Sequence, residues 1–309
     1  MRLRDLGEGA LIERIRKRFR SSAPVGIGDD AAVLALPEGE HLVFCSDLVA
    51  EGTHFVRNLH PADAVGYKSV AVNVSDVGAM GGVPMYFLIS LAAPGELELD
   101  WLDGFYSGVE RACGEFDVSL VGGDTSSSSS IFVDVAMVGR VRANGAVLRS
   151  GARPGDGIYV TGSLGGSARG LELLREGKVD VPAVQRHLYP QPRHRVGAAV
   201  ASVAHAMIDV SDGLSTDLHH IVVESGVSAK ILKEKLPTAE GASEADVLHG
   251  GEEYELIITA SQLPDRVEGV ALTRIGEIVP VAGEPQVVLV DGRTESVLHP
   301  RGWEHYREG

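Results

Sequence analysis

The sequence predicts an α/β protein, or in broader terms an α+β protein, that is built from two domains. With 309 residues, the chain is longer than one hydrophobic core usually serves. Segments with the hydrophobic patterns of strands and helices alternate along it, and turn signals crowd the stretch from Ala143 to Gly157. We therefore expect an N-terminal domain over residues 1–142 and a C-terminal domain over residues 143–309.

The N-terminal half alternates helices and strands after a first amphipathic helix. Leu11, Ile12, Ile15 and Phe19 recur at helical spacing among charged residues. Runs of apolar and β-branched residues mark the strands, whereas the serine run over 126–130 has the composition of a flexible loop. The predicted elements are helices over 8–19, from 61 to the glycine pair at 81–82, and over 101–116, with strands over 41–46, 83–92, 118–121 and 131–141.

The C-terminal half shows the same mixture of patterns, which supports a second α/β domain. Strands that end in polar clusters occur in both halves, so we look for the functional site at strand ends. The predicted strands here cover 158–160, 206–210 and 255–259, and the predicted helices cover 164–175, 194–205 and 214–224.

The formal net charge of −15 and the presence of only two cysteines limit the classes of function. A strongly acidic protein is poorly suited to nucleic acid or to an anionic membrane. Cys45 and Cys113 lie in apolar segments, which suits a reducing compartment better than a disulfide framework. No stretch approaches the ~18 apolar residues of a membrane span. We expect a cytoplasmic protein without nucleic-acid or membrane partners.

Five short motifs place aspartates beside glycine or small polar residues where strands and turns end. Carboxylate and hydroxyl oxygens are hard ligands that suit Mg²⁺, which combines one or two carboxylates with water and substrate phosphates. Acidic groups this close raise one another's pKa unless cations neutralise them. A single Asp-Gly pair is an ordinary turn signal, so the prediction of a metal and phosphate site depends on all five motifs, which are 26–30, 46–47, 73–76, 122–125 and 209–213.

Residue spacing supports parts of this site. Asn73 and Asp76 are three residues apart on a predicted helix, so both face the same side. Asp209 and Asp212 flank a strand-to-helix junction, where Ser211 is placed to cap the helix. The chain lacks a lysine-bearing phosphate loop and the H-R-D and D-F-G signatures of protein kinases. The turn over 162–166 stays open to two interpretations, a phosphate cradle or a simple connection.

Nine segments spread in order over nearly the whole chain complete the motif pattern; examples are Gly52-Thr-His-Phe55 and Gly302-Trp-Glu-His-Tyr306. The ordered set resembles the thiamine-monophosphate kinase family. The sequence departs from the family pattern at Glu253, where members often have Asp, and at Cys45, where they often have Thr. Neither change removes an essential oxygen ligand. The nine segments are 7–12, 26–32, 52–55, 71–77, 122–125, 149–152, 208–214, 250–256 and 302–306.

The resemblance implies a two-domain fold shared with aminoimidazole ribonucleotide synthetase. The N-terminal domain would bind ATP and metal, and its sheet would pair with that of a second copy to form a barrel in a homodimer. The C-terminal domain would also be α/β. The resemblance further implies that ATP is the co-substrate, that thiamine monophosphate is phosphorylated to thiamine diphosphate, and that several Mg²⁺ ions take part. Whether K⁺ is also required stays open.

The same resemblance assigns three sets of site residues by their positions in the matching motifs. The implied metal ligands are Asp30, Ser46, Asp47, Asp76, Asp124, Asp209 and Asp212. The implied ATP contacts are Tyr106, Gly123, Asp124, Arg149 and Ser211. The implied contacts to the thiamine part of the acceptor are His54, Glu252 and Trp303.

No general base is expected. The acceptor would be a phosphate monoester with a second pKa of about 6, so its oxygen is already a nucleophile at neutral pH. Direct in-line transfer then depends on charge neutralisation and positioning. This requirement agrees with the residue pattern, which offers acidic metal ligands and no strong Ser-His-Asp or Cys-His constellation.

Other interpretations stay open. Within the same fold, aminoimidazole ribonucleotide synthetase is the hardest to exclude on chemical grounds. A selenophosphate synthetase would need a reactive cysteine near the N-terminus, and a hydrogenase-maturation dehydratase would need a C-terminal cysteine. No cysteine precedes Cys45, and the chain ends Arg307-Glu-Gly309. A different class of answer is a non-catalytic dimer that binds divalent cations or nucleotides.

Overall fold

The computed structural model describes residues 14–15, 17–19 and 37–303. The chain divides into two compact units. The first comprises Met1–Val77 and Gly82–Asn144, and the second comprises Gly78–Gly81 and Gly145–Gly309. Most of the predicted helix over 8–19 lies outside the described residues, as do the 26–32 motif and Asp30.

The first unit consists of a four-stranded sheet and two long helices. Its elements are β1 Glu40–Ala50, α1 Ala62–Ala79, β2 Val83–Ala93, α2 Leu99–Phe116, β3 Ser119–Ser127 and β4 Phe132–Arg142. The strand order is β1-β4-β2-β3, and every neighbouring pair is antiparallel except β2 and β3, which are parallel.

β3 continues into the serine run, where Ser126 and Ser127 pair with Ala92 and Ala93. The loop prediction is therefore wrong for these two serines, because backbone pairing with β2 satisfies their main chain.

Helix α1 packs against α2 with their backbones in close contact. A Cβ atom at Gly66 would lie 1.9 Å from the Phe105 carbonyl oxygen, and one at Gly108 would lie 1.8 Å from the Asp63 carbonyl oxygen. Only glycine permits this approach. Helix α1 also lies against one side of the sheet, where the Cys45 sulfur of β1 is 3.6 Å from the Asn73 carbonyl oxygen.

The opposite side of this sheet is apolar and exposed. Side chains alternate between faces along a strand, and residues paired across strands share a face. In β1 this face carries Phe44, which is 69% exposed, and the registers of β4 and β2 continue it. The exposed large apolar residues on this face are Leu42, Phe44, Leu48, Val83, Leu88 and Phe132. We call them the outer apolar face.

The second unit is built around one large sheet with short helices. Its elements are β5 Gly157–Thr161, α3 Gly166–Arg175, α4 Pro182–Leu188, α5 His194–Val200, β6 Ala206–Asp209, α6 Leu214–Ser225, β7 Ser228–Leu232, α7 Glu244–His249, β8 Leu256–Ala260, β9 Arg266–Val267, β10 Val270–Val279, β11 Val287–Asp291 and β12 Thr294–Val297. The strand order is β12-β11-β7-β10-β5-β8-β6, with β9 paired to β10. Ile158, Ile208, Leu218 and Ile257 are at most 2% exposed and lie at the centre of its core.

These elements confirm the α/β class, although several bounds differ from the prediction. Helix α5 ends at Val200 and not at 205, because the chain must turn to place the His205 amide against the Thr259 carbonyl oxygen of the sheet. The sequence analysis predicted none of α4, α7, β7 and β9 to β12. Of these, α4, α7 and β7 are too short for a clear period. Within the described residues, none of the helices combines the length and apolarity required to cross a membrane.

Candidate functional site

In the first unit, Asp47 of β1 meets Asp76 of α1. Burial raises the pKa of the Asp47 carboxyl, whereas a hydrogen bond with Asp76 and the nearby His54 act in the opposite direction. A hydrogen bond between two carboxyl groups requires that one of them keep its proton. Asn73 and Asp76 both face β1, as their three-residue spacing predicts. The structure therefore brings together Asp47, Asp76 and His54 of the predicted set.

The His54 imidazole is fixed at the end of β1. Its Nδ1 accepts a hydrogen bond of 3.0 Å from the Ala50 amide, and its own amide donates to the Ala50 carbonyl oxygen at 2.9 Å. Because Nδ1 is an acceptor, a neutral ring carries its proton on Nε2. The side chain is partly exposed.

Ser46 faces the other side of the sheet from Asp47. Its hydroxyl donates to Asp134 Oδ1 at 2.7 Å. Asp134 and Asp124 flank Ser90 in the strand register, so these three residues form a polar row within the outer face. Sequence analysis missed Asp134, although a carboxylate inside an otherwise apolar β-branched strand is a recognisable signal.

The Gly122-Gly123-Asp124 motif lies within β3. A Cβ atom at Gly123 would be 1.9 Å from the Ile89 carbonyl oxygen, so glycine is needed for the approach of β3 to β2. The exposed Asp124 accepts a hydrogen bond of 2.9 Å from the Thr125 amide.

Tyr106 lies elsewhere in the unit, buried on α2 with its ring edge-on to Phe105. Burial raises the pKa of the Tyr106 hydroxyl.

In the second unit, three aspartates meet where β6 leads into α6. Asp209 is buried at the end of β6. Asp217, in the first turn of α6, accepts hydrogen bonds from the amides of Asp212 at 3.1 Å and Gly213 at 3.0 Å. Burial raises the pKa of Asp217 well above its ordinary value, and the charges of Asp209 and Asp212 raise it further.

Asp217 takes the role at the start of α6 that the sequence analysis gave to Ser211. The helix begins after Gly213, which has no side-chain cap, and the Asp217 carboxylate binds the amides before it. The prediction of a Ser211 cap was therefore wrong. Asp217 was missed because its sequence position suggests an ordinary first-turn acid. Its importance arises only from its packing beside Asp209.

Glu252 and Trp303 both contact the backbone of the 209–213 motif. The Glu252 amide donates to the Ser211 carbonyl oxygen at 2.7 Å, and the Trp303 amide donates to the Asp212 carbonyl oxygen at 3.1 Å. The Trp303 side chain is 54% exposed. The structure therefore brings together Ser211, Asp212, Glu252 and Trp303.

Arg149 lies in an exposed loop of the second unit. Ser225 of α6 holds this loop, because its hydroxyl accepts from the amides of Gly151 and Ala152 at 3.1 Å each and donates to the Arg149 carbonyl oxygen at 3.3 Å. The backbone of the loop that carries Arg149 is thus fixed.

The turn over 162–166 is filled by the protein's own side chains. The Ser167 amide at the start of α3 donates to Glu253 Oε1 at 2.8 Å. A Cβ atom at Gly166 would lie 2.6 Å from Arg186 Cδ, and one at Gly162 would lie 2.2 Å from Glu255 Oε1. Of the two interpretations of this turn, the structure favours a connection that admits buried glutamates.

The described carboxylates suit Mg²⁺ in one particular way. Within residues 14–15, 17–19 and 37–303, no three His, Cys, Asp or Glu side chains are arranged as a ready metal cage. Asp47 lies beside Asp76 in the first unit, and Asp209 and Asp212 lie near Asp217 in the second. Mg²⁺ typically takes one or two carboxylates and completes its coordination with water and substrate phosphates. The residues present therefore fit a cation that binds together with phosphate.

Comparison with known proteins identifies the family. Residues 28–141 match the N-terminal domain of AIR synthase related proteins, and residues 153–284 match the C-terminal domain. Thiamine-monophosphate kinase from Aquifex aeolicus is 38% identical over 322 aligned residues, which cover 99% of this chain and 100% of that protein. The chain belongs to the thiamine-monophosphate kinase family.

Solved structures agree with this family. A structure described as AaThiL complexed with AMPPCP and TMP has 37% sequence identity and a TM-score of 0.78, with 99% of each chain covered. The hydrogenase maturation protein HypE in complex with ATP reaches the same TM-score at 22% identity, over 97% of this chain and 98% of that one. At that identity the likeness shows the fold alone, so thiamine-monophosphate kinase remains the family assignment.

Glu253→Gln tests the cost of burying the Glu253 carboxyl. Burial raises its pKa from 4.5 to about 7, while Arg186 and the Ser167 amide act in the opposite direction. Because this pKa is raised in the folded state, the contribution of the Glu253 carboxyl to the free energy of unfolding is complete below about pH 4 and is lost as the pH rises through about 7. Gln stays neutral and keeps the acceptor for Ser167. We expect a flatter pH dependence of the free energy of unfolding, by about 2–3 kcal/mol between about pH 5 and 8.

Urea denaturation at several pH values provides this measurement, with the exposed Glu234→Gln as a matched control that should follow the wild type. A Glu253→Gln variant with the same pH dependence as the wild type would contradict the expected burial cost.

Proposed function

We propose that this protein transfers a phosphoryl group from ATP to thiamine monophosphate and forms thiamine diphosphate. Membership in the thiamine-monophosphate kinase family supports the proposal, as does the likeness to a structure complexed with AMPPCP and TMP. The observation that carries it is the contact of Glu252 and Trp303 with the Ser211–Asp212 backbone. Residues assigned to the thiamine part thus adjoin an acidic motif assigned to metal and phosphate.

The carboxylates hold cations in this scheme. Two polyanions must approach within bonding distance, so their charge has to be neutralised. Mg²⁺ would supply that neutralisation and polarise the phosphoryl oxygens when bound. Asp47 and Asp76 are suited to this task because they lie within hydrogen-bonding distance of each other, and a bound cation would offset the cost of ionising both carboxyl groups. The remaining proposed ligands are Ser46, Asp124, Asp209, Asp212 and Asp30, the last of which lies outside the described residues.

The nucleotide contacts are proposed at Tyr106, Gly123, Asp124, Arg149 and Ser211. Arg149 is the residue best suited to phosphate, because a guanidinium offers a fixed fork of donors and its loop is held by Ser225. Tyr106 is buried, so it is the least accessible of these five positions. No side chain has to act as a general base, since the acceptor phosphate is already ionised at neutral pH.

The thiamine part carries a positive charge and aromatic rings, which suits the residues assigned to it. The half-exposed Trp303 ring can stack on a cationic ring for about 1–2 kcal/mol. The Glu252 carboxylate would provide a complementary charge, and the His54 imidazole, whose orientation is fixed by the Ala50 amide, is the third proposed contact.

We also propose that the protein is a homodimer formed through the outer apolar face. Monomers rarely expose a contiguous set of large apolar side chains on one sheet face. Leu42, Phe44 and Leu48 of β1 are each at least 50% exposed. A second copy presents the same face, so a twofold pairing buries both sets at once. Cytoplasmic location and a need for K⁺ stay predictions.

Phe44→Glu tests the proposed dimer. Pairing the outer apolar faces would then bury two carboxylates, which is costly without partners. We expect light scattering after gel filtration to give twice the chain mass for the wild type and the chain mass for the variant. Val223→Glu, at a 48% exposed position on α6, is the matched control and should remain a dimer. A dimeric Phe44→Glu protein would show that this face is not the interface.

Asp47→Asn and Asp76→Asn test the kinase proposal together with its carboxylates. Incubation of the wild type with ATP, Mg²⁺ and thiamine monophosphate should give thiamine diphosphate and ADP. Each variant keeps the side-chain shape but loses a charge, so we expect turnover to fall by at least about 100-fold. Thermal unfolding should show that both variants stay folded, because a neutral amide costs less to bury than a carboxylate.

Asp117→Asn serves as the control for these variants. Asp117 is exposed at the end of α2 in a left-handed conformation that Asn also adopts readily, so its activity should match the wild type. A wild-type protein without thiamine diphosphate product would overturn the proposed function. Fully active Asp47→Asn and Asp76→Asn proteins would overturn the role of these carboxylates.

A further inference from the structure

The loop over residues 250–255, which we call the acceptor loop, joins α7 to β8 and carries Glu252. It has no regular secondary structure. Glu252 and Tyr254 both adopt left-handed backbone angles, with φ of 60° and 54°. Such angles cost non-glycine residues free energy and persist only where surrounding contacts enforce them. Something in the fold must therefore hold this loop in place.

Two buried glutamates of the acceptor loop point toward the helices of the second unit. Glu253 and Glu255 are 2% and 1% exposed. Glu253 reaches the start of α3 through the Ser167 amide. Glu255 accepts a hydrogen bond of 2.6 Å from the Thr161 hydroxyl at the end of β5. Buried carboxylates require charged or hydrogen-bonding partners. The Ser167 amide and the Thr161 hydroxyl donate hydrogen bonds but do not neutralise the negative charge.

Two arginines complete the set. Arg193 binds Glu255 in a forked geometry, with Nε to Oε2 at 2.7 Å and Nη2 to Oε1 at 2.7 Å. Arg186 of α4 lies with Nη2 2.8 Å from Glu253 Oε2 and 3.0 Å from Glu255 Oε1. The contact with Glu253 is an ion pair without hydrogen-bond alignment, because Glu253 Oε2 lacks a hydrogen-bond partner among the described residues. Glu255 is therefore the residue that both arginines fix most directly.

The same helix also approaches Glu252. His187, next to Arg186 on α4, is buried with Nδ1 3.5 Å from Glu252 Oε2 and 3.0 Å from the Ser167 hydroxyl. Helix α4 thus contacts all three glutamates of the acceptor loop. The glycines at 162 and 166 leave the space that Glu255 and Arg186 occupy. The position of Glu252 consequently depends on ion pairs that lie outside the substrate contacts.

We propose that Arg186 and Arg193 are positioning residues for recognition of the thiamine part of the acceptor. They fix Glu253 and Glu255, which hold the acceptor loop in its left-handed conformation and keep Glu252 beside Ser211 and Asp212. The inference rests on the proposed function, because it takes Glu252 as a contact to thiamine monophosphate. Neither arginine needs to touch the substrate. Their removal should affect acceptor binding more than nucleotide binding.

Arg193→Gln is the main test. This substitution removes the paired hydrogen bonds from the Arg193 guanidinium to Glu255. A displacement of about 1 Å in a group that positions a substrate can weaken the effect of that group by about tenfold to 100-fold. We expect the KM for thiamine monophosphate to rise at least about tenfold, while the KM for ATP and kcat stay within about threefold of the wild type. Arg193→Lys keeps the charge but not the fork, so its KM for thiamine monophosphate should be intermediate. It also serves as the test if Arg193→Gln does not fold.

Arg195→Gln is the matched control, since Arg195 is exposed on α5 and should retain wild-type constants. Unchanged KM values in Arg193→Gln and Arg193→Lys would overturn the positioning role, as would equal increases in the KM for both substrates.

Calorimetric binding of thiamine monophosphate separates this inference from the proposed function. If the wild type binds thiamine monophosphate but does not phosphorylate it, the kinase proposal fails, and weaker binding by Arg193→Gln still supports positioning. If the wild type does not bind it, both fail.

Discussion

The close approach of acidic groups that are buried or partly buried is the constraint on which the site depends. Asp47 and Asp76 share a hydrogen bond under β1, and Asp217 lies among Asp209 and Asp212 at the start of α6. Burial and mutual repulsion both oppose full ionisation of such groups. Each cluster therefore needs a proton, backbone amides or a cation. In the proposed function a bound cation would reverse the local charge and so allow an acidic protein to bind phosphates.

The second unit handles its other buried carboxylates in a different way. Glu255 is matched by the guanidinium groups of Arg186 and Arg193 and by the Thr161 hydroxyl. The two guanidinium groups neutralise the Glu255 carboxylate, so it does not require a bound cation. Glu253 lies between these cases, with a pKa near 7 despite its contact with Arg186. Carboxylates that are paired with arginine stabilise the fold, whereas the carboxylates proposed to bind metal are not paired in this way.

The sequence predicted the alternation of elements and most of the acidic positions because both follow from local patterns. Helical spacing was enough to place Asn73 and Asp76 on one side of α1. It could not show that Ser46 binds Asp134 on the far side of the sheet, because that depends on the register between β1 and β4. Asp217 and the glutamate–arginine network were also missed, since their partners are distant in sequence. The 162–166 turn illustrates the same limit: its glycines suggested phosphate but admit Glu255 and Arg186.

The central claim is that the buried acids hold cations and that nucleotide binding requires them. Thermal unfolding of the wild type with AMPPCP, in the presence of either Mg²⁺ or EDTA at equal ionic strength, tests this most directly. A ligand that binds only the native state raises the unfolding midpoint. We predict that AMPPCP raises the midpoint by at least about 3 °C with Mg²⁺ and does not raise it in EDTA. Equal stabilisation by AMPPCP in EDTA would contradict the claim.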